Sequence, residues 1–113
     1  MEEILDEFAG EWLITKVHGY TDAELHQGEP ARIVFWGDET ADLTCAGHFV
    51  TLDVRFGETI EGLPAVEFKE SRQPGQKRVT VSGLGAIRRS RKTLEGSLTI
   101  GGRARAFTAK WEG

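Results

Sequence analysis

The sequence predicts an all-β fold: an eight-stranded antiparallel meander closed into a small β-barrel, with a short N-terminal helix in front. Three observations predict it. After Gly10 the apolar residues recur with a period of two, in short runs rich in β-branched and aromatic residues. The breaks between those runs are short and made of Gly, Pro, Asp and Ser; they suit tight turns and leave no crossover-length segment for a parallel sheet. Finally, 113 residues fit one domain with one core, spanning 1–113, and eight strands that close on themselves leave no exposed edge. A two-sheet sandwich is the alternative arrangement of the same strands.

Residues 2–8, EEILDEF, place Ile4, Leu5 and Phe8 at helical spacing behind acids that complement the helix dipole, and Gly10 ends that helix. From Glu11 the period is two. Trp12, Ile14, Lys16, His18 and Tyr20 are expected on one face, and Leu13, Thr15 and Val17 on the other. TDAELHQGEP reads as a loop with one helical turn capped by Thr21 or Asp22. Strands follow at ARIVFW, ADLTCA, HFVTLDVRF, PAVEFKE, KRVTVSG, KTLEGSLTI and RARAFTAKW. The cleanest is HFVTLDVRF, with Val50, Leu52, Val54 and Phe56 facing the core and Phe49, Thr51, Asp53 and Arg55 facing away. GLGAIR is not a dinucleotide fingerprint, because Arg88 stands at the third glycine position and no apolar helix follows; a barrel-corner kink or bulge suits it better. Gly101-Gly102 is the best hairpin signal, since both central residues of a type I′ turn need positive φ.

Apolar residues at 39% and charged residues at 28% describe a folded chain. No window approaches the roughly 18 apolar residues of a membrane span, and the acidic start MEEILDEF is unlike a secretory signal. A cytoplasmic protein without a membrane partner is expected. Cys45 stands alone and reads as a small buried apolar residue, which suits a reducing compartment. The net charge of −4 hides an asymmetry: residues 1–70 carry 16 acids and four bases, residues 71–113 ten bases and two acids. Cross-strand pairing of opposite charges explains it simply, and a basic patch facing an acidic partner is the sharper reading.

Motifs for chemistry are absent. His18, His26 and His48 lack the spacing of a metal pair, no Gly-x-Ser-x-Gly elbow is present, and acid pairs such as Asp38-Glu39 or Glu67 with Glu70 read as solvated surface. The cluster Arg88, Arg89, Arg91 and Lys92, with Arg72, Lys77 and Arg78, has no interleaved aromatic residue between Lys69 and Ala106, which argues against nucleic acid as a partner. The expectation is a non-enzymatic protein with no metal and no cofactor.

Gly10 and Trp12, opening the first strand, resemble the Gly-x-Trp signature of the calycins, the superfamily of lipocalins, fatty-acid-binding proteins and avidins. That resemblance implies a barrel with Trp12 as a structural plug across its closed end, beneath a basic side chain from near the last strand, here Arg103 or Arg105. A looser resemblance, through Gly10, Trp12, Ile14, LEGSLTI and Phe107-Thr108-Ala109, is to uncharacterised small bacterial proteins; the middle of the chain, KESRQPGQKRVTVSG, departs from them. Two functions are open. A hollow barrel would bind an apolar or aromatic small ligand, with His18, Tyr20, Phe35, Trp36, Arg105 and Phe107 as the ligand-binding residues and an organic anion paired with Arg105. A solid barrel would act through its acidic and basic surfaces as a protein-protein interaction or self-association module.

Overall fold

The computed structural model describes residues 8–59, 61–70, 81–88 and 92–112. Eight strands follow one another: β1 (Gly10–Val17), β2 (Arg32–Phe35), β3 (Thr40–Cys45), β4 (His48–Glu58), β5 (Pro64–Glu70), β6 (Val81–Arg88), β7 (Thr93–Ile100) and β8 (Arg103–Trp111). Each pairs antiparallel with the next, and β8 returns to β1, so the sheet is a closed barrel. The expected N-terminal helix over 2–8 lies, except for Phe8, outside the described residues.

Turn chemistry explains the short connections. Gly101 and Gly102 have φ of +62° and +84°, the double positive φ that a two-residue hairpin needs, and Ala46 and Gly47 do the same between β3 and β4. The one described helix of several residues is α1 (Asp22–Leu25), set by a reciprocal cap: Thr21 accepts from the Glu24 N–H, while Glu24 accepts from the Thr21 N–H at 2.9 Å. Its Leu25 is buried in the core, and the Leu25 carbonyl accepts from the Ala46 N–H, which ties α1 to the β3–β4 turn.

Two expectations need correction. Alternation does not run unbroken through β1: Ile14 pairs with Ala109 but Lys16 with Thr108, so Thr15 is an extra residue, its hydroxyl 3.2 Å from the Thr108 carbonyl. This bulge reverses the phase. Val17 therefore turns inward and is buried, whereas Lys16 and His18 face solvent. The second correction concerns β6, which is not kinked at its glycines. Gly83 and Gly85 pair in unbroken register with Phe68 and Val66 on one side and Leu98 and Gly96 on the other. They are inward positions kept bare because the space is taken: a Cβ at Gly83 would overlap the Phe68 ring, and one at Gly85 would lie 2.9 Å from Leu94 Cδ1.

The interior is occupied by side chains. Trp12, Ile14, Ile33, Phe35, Leu52 and Phe68 are each at most 2% exposed, in one cluster that every strand contributes to. Each such side chain contributes roughly 1.5–3 kcal/mol by leaving water. On the outside, opposite charges face each other in register, Asp53 with Lys69 and Arg55 with Glu67, and Arg88 lies 3.6 Å from Glu95.

Candidate functional site

The barrel has two differently built ends. At one, Trp12 is buried, donates from Nε1 to the Phe8 carbonyl at 2.9 Å, and meets Trp111 edge-on at 5.1 Å between ring centres. Phe8 adds contacts to Phe35 and Phe56 at 5.6 and 5.3 Å. The basic partner implied for Trp12 is not there. Since Trp12 pairs with Trp111 and Val17 with Phe107, Arg105 and Arg103 lie beyond Val17, toward the opposite end.

That opposite end is the mouth. The Arg105 guanidinium stacks over the Tyr20 ring at 4.9 Å, and its Nη1 donates to the His18 carbonyl at 2.9 Å. Its Nε is buried and, among the described residues, has no hydrogen-bond partner. Gly19 makes the arrangement possible, because at φ +89° it has no Cβ, and one built there would overlap Arg105 Nη1. Nearby, the Thr21 N–H and hydroxyl, with a further contribution from the Arg105 charge, hold the Glu24 carboxyl below its ordinary range.

The six ligand-binding candidates from the sequence thus fall into three places. Tyr20, Arg105 and the backbone of His18 meet at the mouth, while the His18 side chain is exposed. Phe35 and Phe107 are buried in the interior, Phe107 against Phe68 at 6.4 Å. Trp36 is outside and 61% exposed, because neighbouring residues of a strand face opposite ways and Phe35 takes the inward position.

Concave surface lies on the outer wall. A groove of about 760 Å³ crosses β1 to β4, bordered by Glu11, Arg32, Val34, Trp36, Asp42 and Phe49. Register explains the grouping: Val34 faces both Glu11 and Asp42, while Thr44 stands between Arg32 and Phe49. Trp36 Nε1 donates to Asp42 Oδ2 at 3.1 Å, so the indole is oriented. The turn after it is also ordered, with Asp38 accepting from the Thr40 N–H and hydroxyl, contacts that hold the Asp38 carboxyl below its ordinary range. Sequence reasoning missed Phe49 as a site residue. Its signal was an aromatic on the wet face of the cleanest alternating strand, where Thr51, Asp53 and Arg55 are polar.

A second groove, of about 1050 Å³, runs over β4 to β7. Charged positions on β4 and β5 (Asp53, Arg55, Glu67, Lys69) form one side, and the small hydroxyls Ser82 and Ser97 the other, with Leu84 54% exposed between them. It lies over the wall whose inward glycines let the backbone settle onto Phe68 and Leu94.

Other groups are accounted for. Cys45 is buried, and desolvation pushes its thiol up to about 11, so it stays protonated and inert at neutral pH. His26 Nδ1 accepts from the Ala31 N–H at 2.8 Å, and His48 is exposed. Among the described residues no group of three or more His, Cys, Asp or Glu side chains could hold a metal ion, and no helix is long and apolar enough to cross a membrane. Arg88 and Lys92 of the basic cluster are exposed, while Arg72, Lys77, Arg78, Arg89 and Arg91 lie outside the described residues. No protein-family model matches the chain, and neither does any curated protein or solved structure.

Proposed function

We propose that this protein is a non-enzymatic interaction module, a solid calycin-like barrel that recognises another protein through its outer wall. The observation that carries the reading is the contrast between inside and outside. Every strand sends buried apolar side chains inward, and the space at the bare inward positions Gly83 and Gly85 is taken by Phe68 and Leu94, whereas concave surface and the exposed rings of Trp36 and Phe49 lie on the outer wall. Exposed aromatic residues are the side chains most enriched where proteins meet. Native mass spectrometry of the protein isolated from its own host tests this. The expected result is an intact mass with no retained small molecule; a stoichiometric apolar ligand would overturn it.

A second reading rests on Arg105. Its buried Nε–H has no acceptor among the described residues, which favours an organic anion at the mouth, with Tyr20 beneath the guanidinium. Under that reading benzoate raises the melting temperature of the native chain and leaves that of Arg105→Met unchanged. Equal shifts in both would remove it.

A further inference from the structure

The groove over β1 to β4 combines two exposed aromatic rings with a predominantly acidic surround. Trp36 and Phe49 are 61% and 66% exposed. Glu11 and Asp42 border the groove, and Asp38 stands in the turn after Trp36, while its neighbour Glu39 lines the groove over β4 to β7. Arg32 is the one base among the described residues lining it, and its guanidinium already lies 3.8 Å from Glu29.

We infer that this groove docks a basic segment of a partner protein, presenting Arg or Lys side chains whose apolar stems lie on Trp36 and Phe49 and whose charged heads reach Glu11, Asp42 and, beside Trp36, Asp38. The inference rests on the solid-barrel reading and names the partner chemistry for it. An arginine is half apolar stem and half cation, and both halves find a match here: ring faces attract the cation as well as the stem, and carboxylates flank them. Asp42 holds the Trp36 indole before anything binds, which reduces the ordering that docking would cost. An acidic segment would meet carboxylates of its own sign. A second copy of this chain is net −4 overall but carries ten bases in residues 71–113, so it is the competing occupant that the test below separates.

The full chain is titrated into a fluorescently labelled short peptide of alternating Arg and Leu, and separately into one of alternating Glu and Leu, with anisotropy read at low and high salt. The Arg-Leu peptide is expected to bind, to weaken as salt rises, and to lose about tenfold or more in affinity with Trp36→Ala or Phe49→Ser, as for a central anchor residue. Glu11→Gln is expected to flatten the salt dependence. Leu84→Ala, an exposed apolar residue in the other groove, is expected to change nothing. Both anchors are exposed, and an unchanged circular dichroism spectrum verifies their folding. Equal binding by the Trp36 and Phe49 variants, or equal binding of the Glu-Leu peptide, would overturn the inference. Self-association of the chain alone that disappears in Trp36→Ala would overturn it too, by assigning the groove to a second copy. These outcomes are separate from the native mass, which bears on whether the barrel is solid.

Discussion

The two ends of the barrel are closed by different physics. At the plugged end, Phe8, Trp12 and Trp111 close the barrel with ring against ring, and the single polar atom of the Trp12 indole is satisfied by the Phe8 carbonyl. At the mouth, closure depends on polar groups: Arg105 on Tyr20 and on the His18 carbonyl, and Thr21 with Glu24 at the cap of α1. Burial of rings is insensitive to pH and salt, whereas a lid of hydrogen bonds and charges responds to both. Stability should therefore reside at one end and adjustability at the other.

The largest effect is expected at the plug. Trp12→Ala should cost about 3–5 kcal/mol, the range for emptying a buried aromatic site, and a urea melt would read it. A loss near 1 kcal/mol would mean that the rings of Phe8 and Trp111 collapse into the space and that the two ends differ less than proposed. At the mouth, Gly19→Ala forces a side chain into left-handed backbone and against Arg105; about 1–3 kcal/mol is expected. Thr21→Ala should cost about 1 kcal/mol through the lost cap.

The Thr21 variant also has a signature in pH. In the folded chain the Glu24 carboxyl titrates below its ordinary range, so its stabilisation is present above the unfolded-state value and is lost as pH falls through the folded one. Without the Thr21 hydroxyl the folded value should rise toward ordinary, and the loss on acidification should shrink; an NMR titration of the Glu24 side chain would follow it. Smallest of all, Trp36→Ala should change stability by no more than about 0.5 kcal/mol, since an exposed ring outside either end supports neither. Paired with Trp12→Ala, it separates a tryptophan that holds the fold from one that is free to recognise something.

Much of this architecture was legible. The run of short strands, the Gly101-Gly102 hairpin and the helical turn capped at Thr21, one of the two caps the sequence offers, are local features written in a few adjacent residues. The structure has them, although β6 spans Val81–Arg88 where KRVTVSG placed a strand over 77–83. The bulge at Thr15 was not, because threonine is at home on either face and nothing in the local pattern announces an extra residue. Bare positions inside β6 read as a kink because their cause, the Phe68 ring and the Leu94 side chain, belongs to other strands. The groove was harder still. Trp36 and Phe49 are far apart in sequence and share it only through the register of β2, β3 and β4, which depends on pairings that no single segment encodes.

Closure of β8 onto β1 has a consequence for how the chain can be rewired. The Glu112 N–H donates to the Glu11 carbonyl at 2.9 Å, so the last strand finishes beside the start of the first. Topologically the eight strands form a ring whose seam is a ladder like the other seven. Such a ring has no privileged point of opening. A linker from β8 to β1, with a new start between Gly101 and Gly102 in an exposed turn, would give a circular permutant with the same neighbours on every strand.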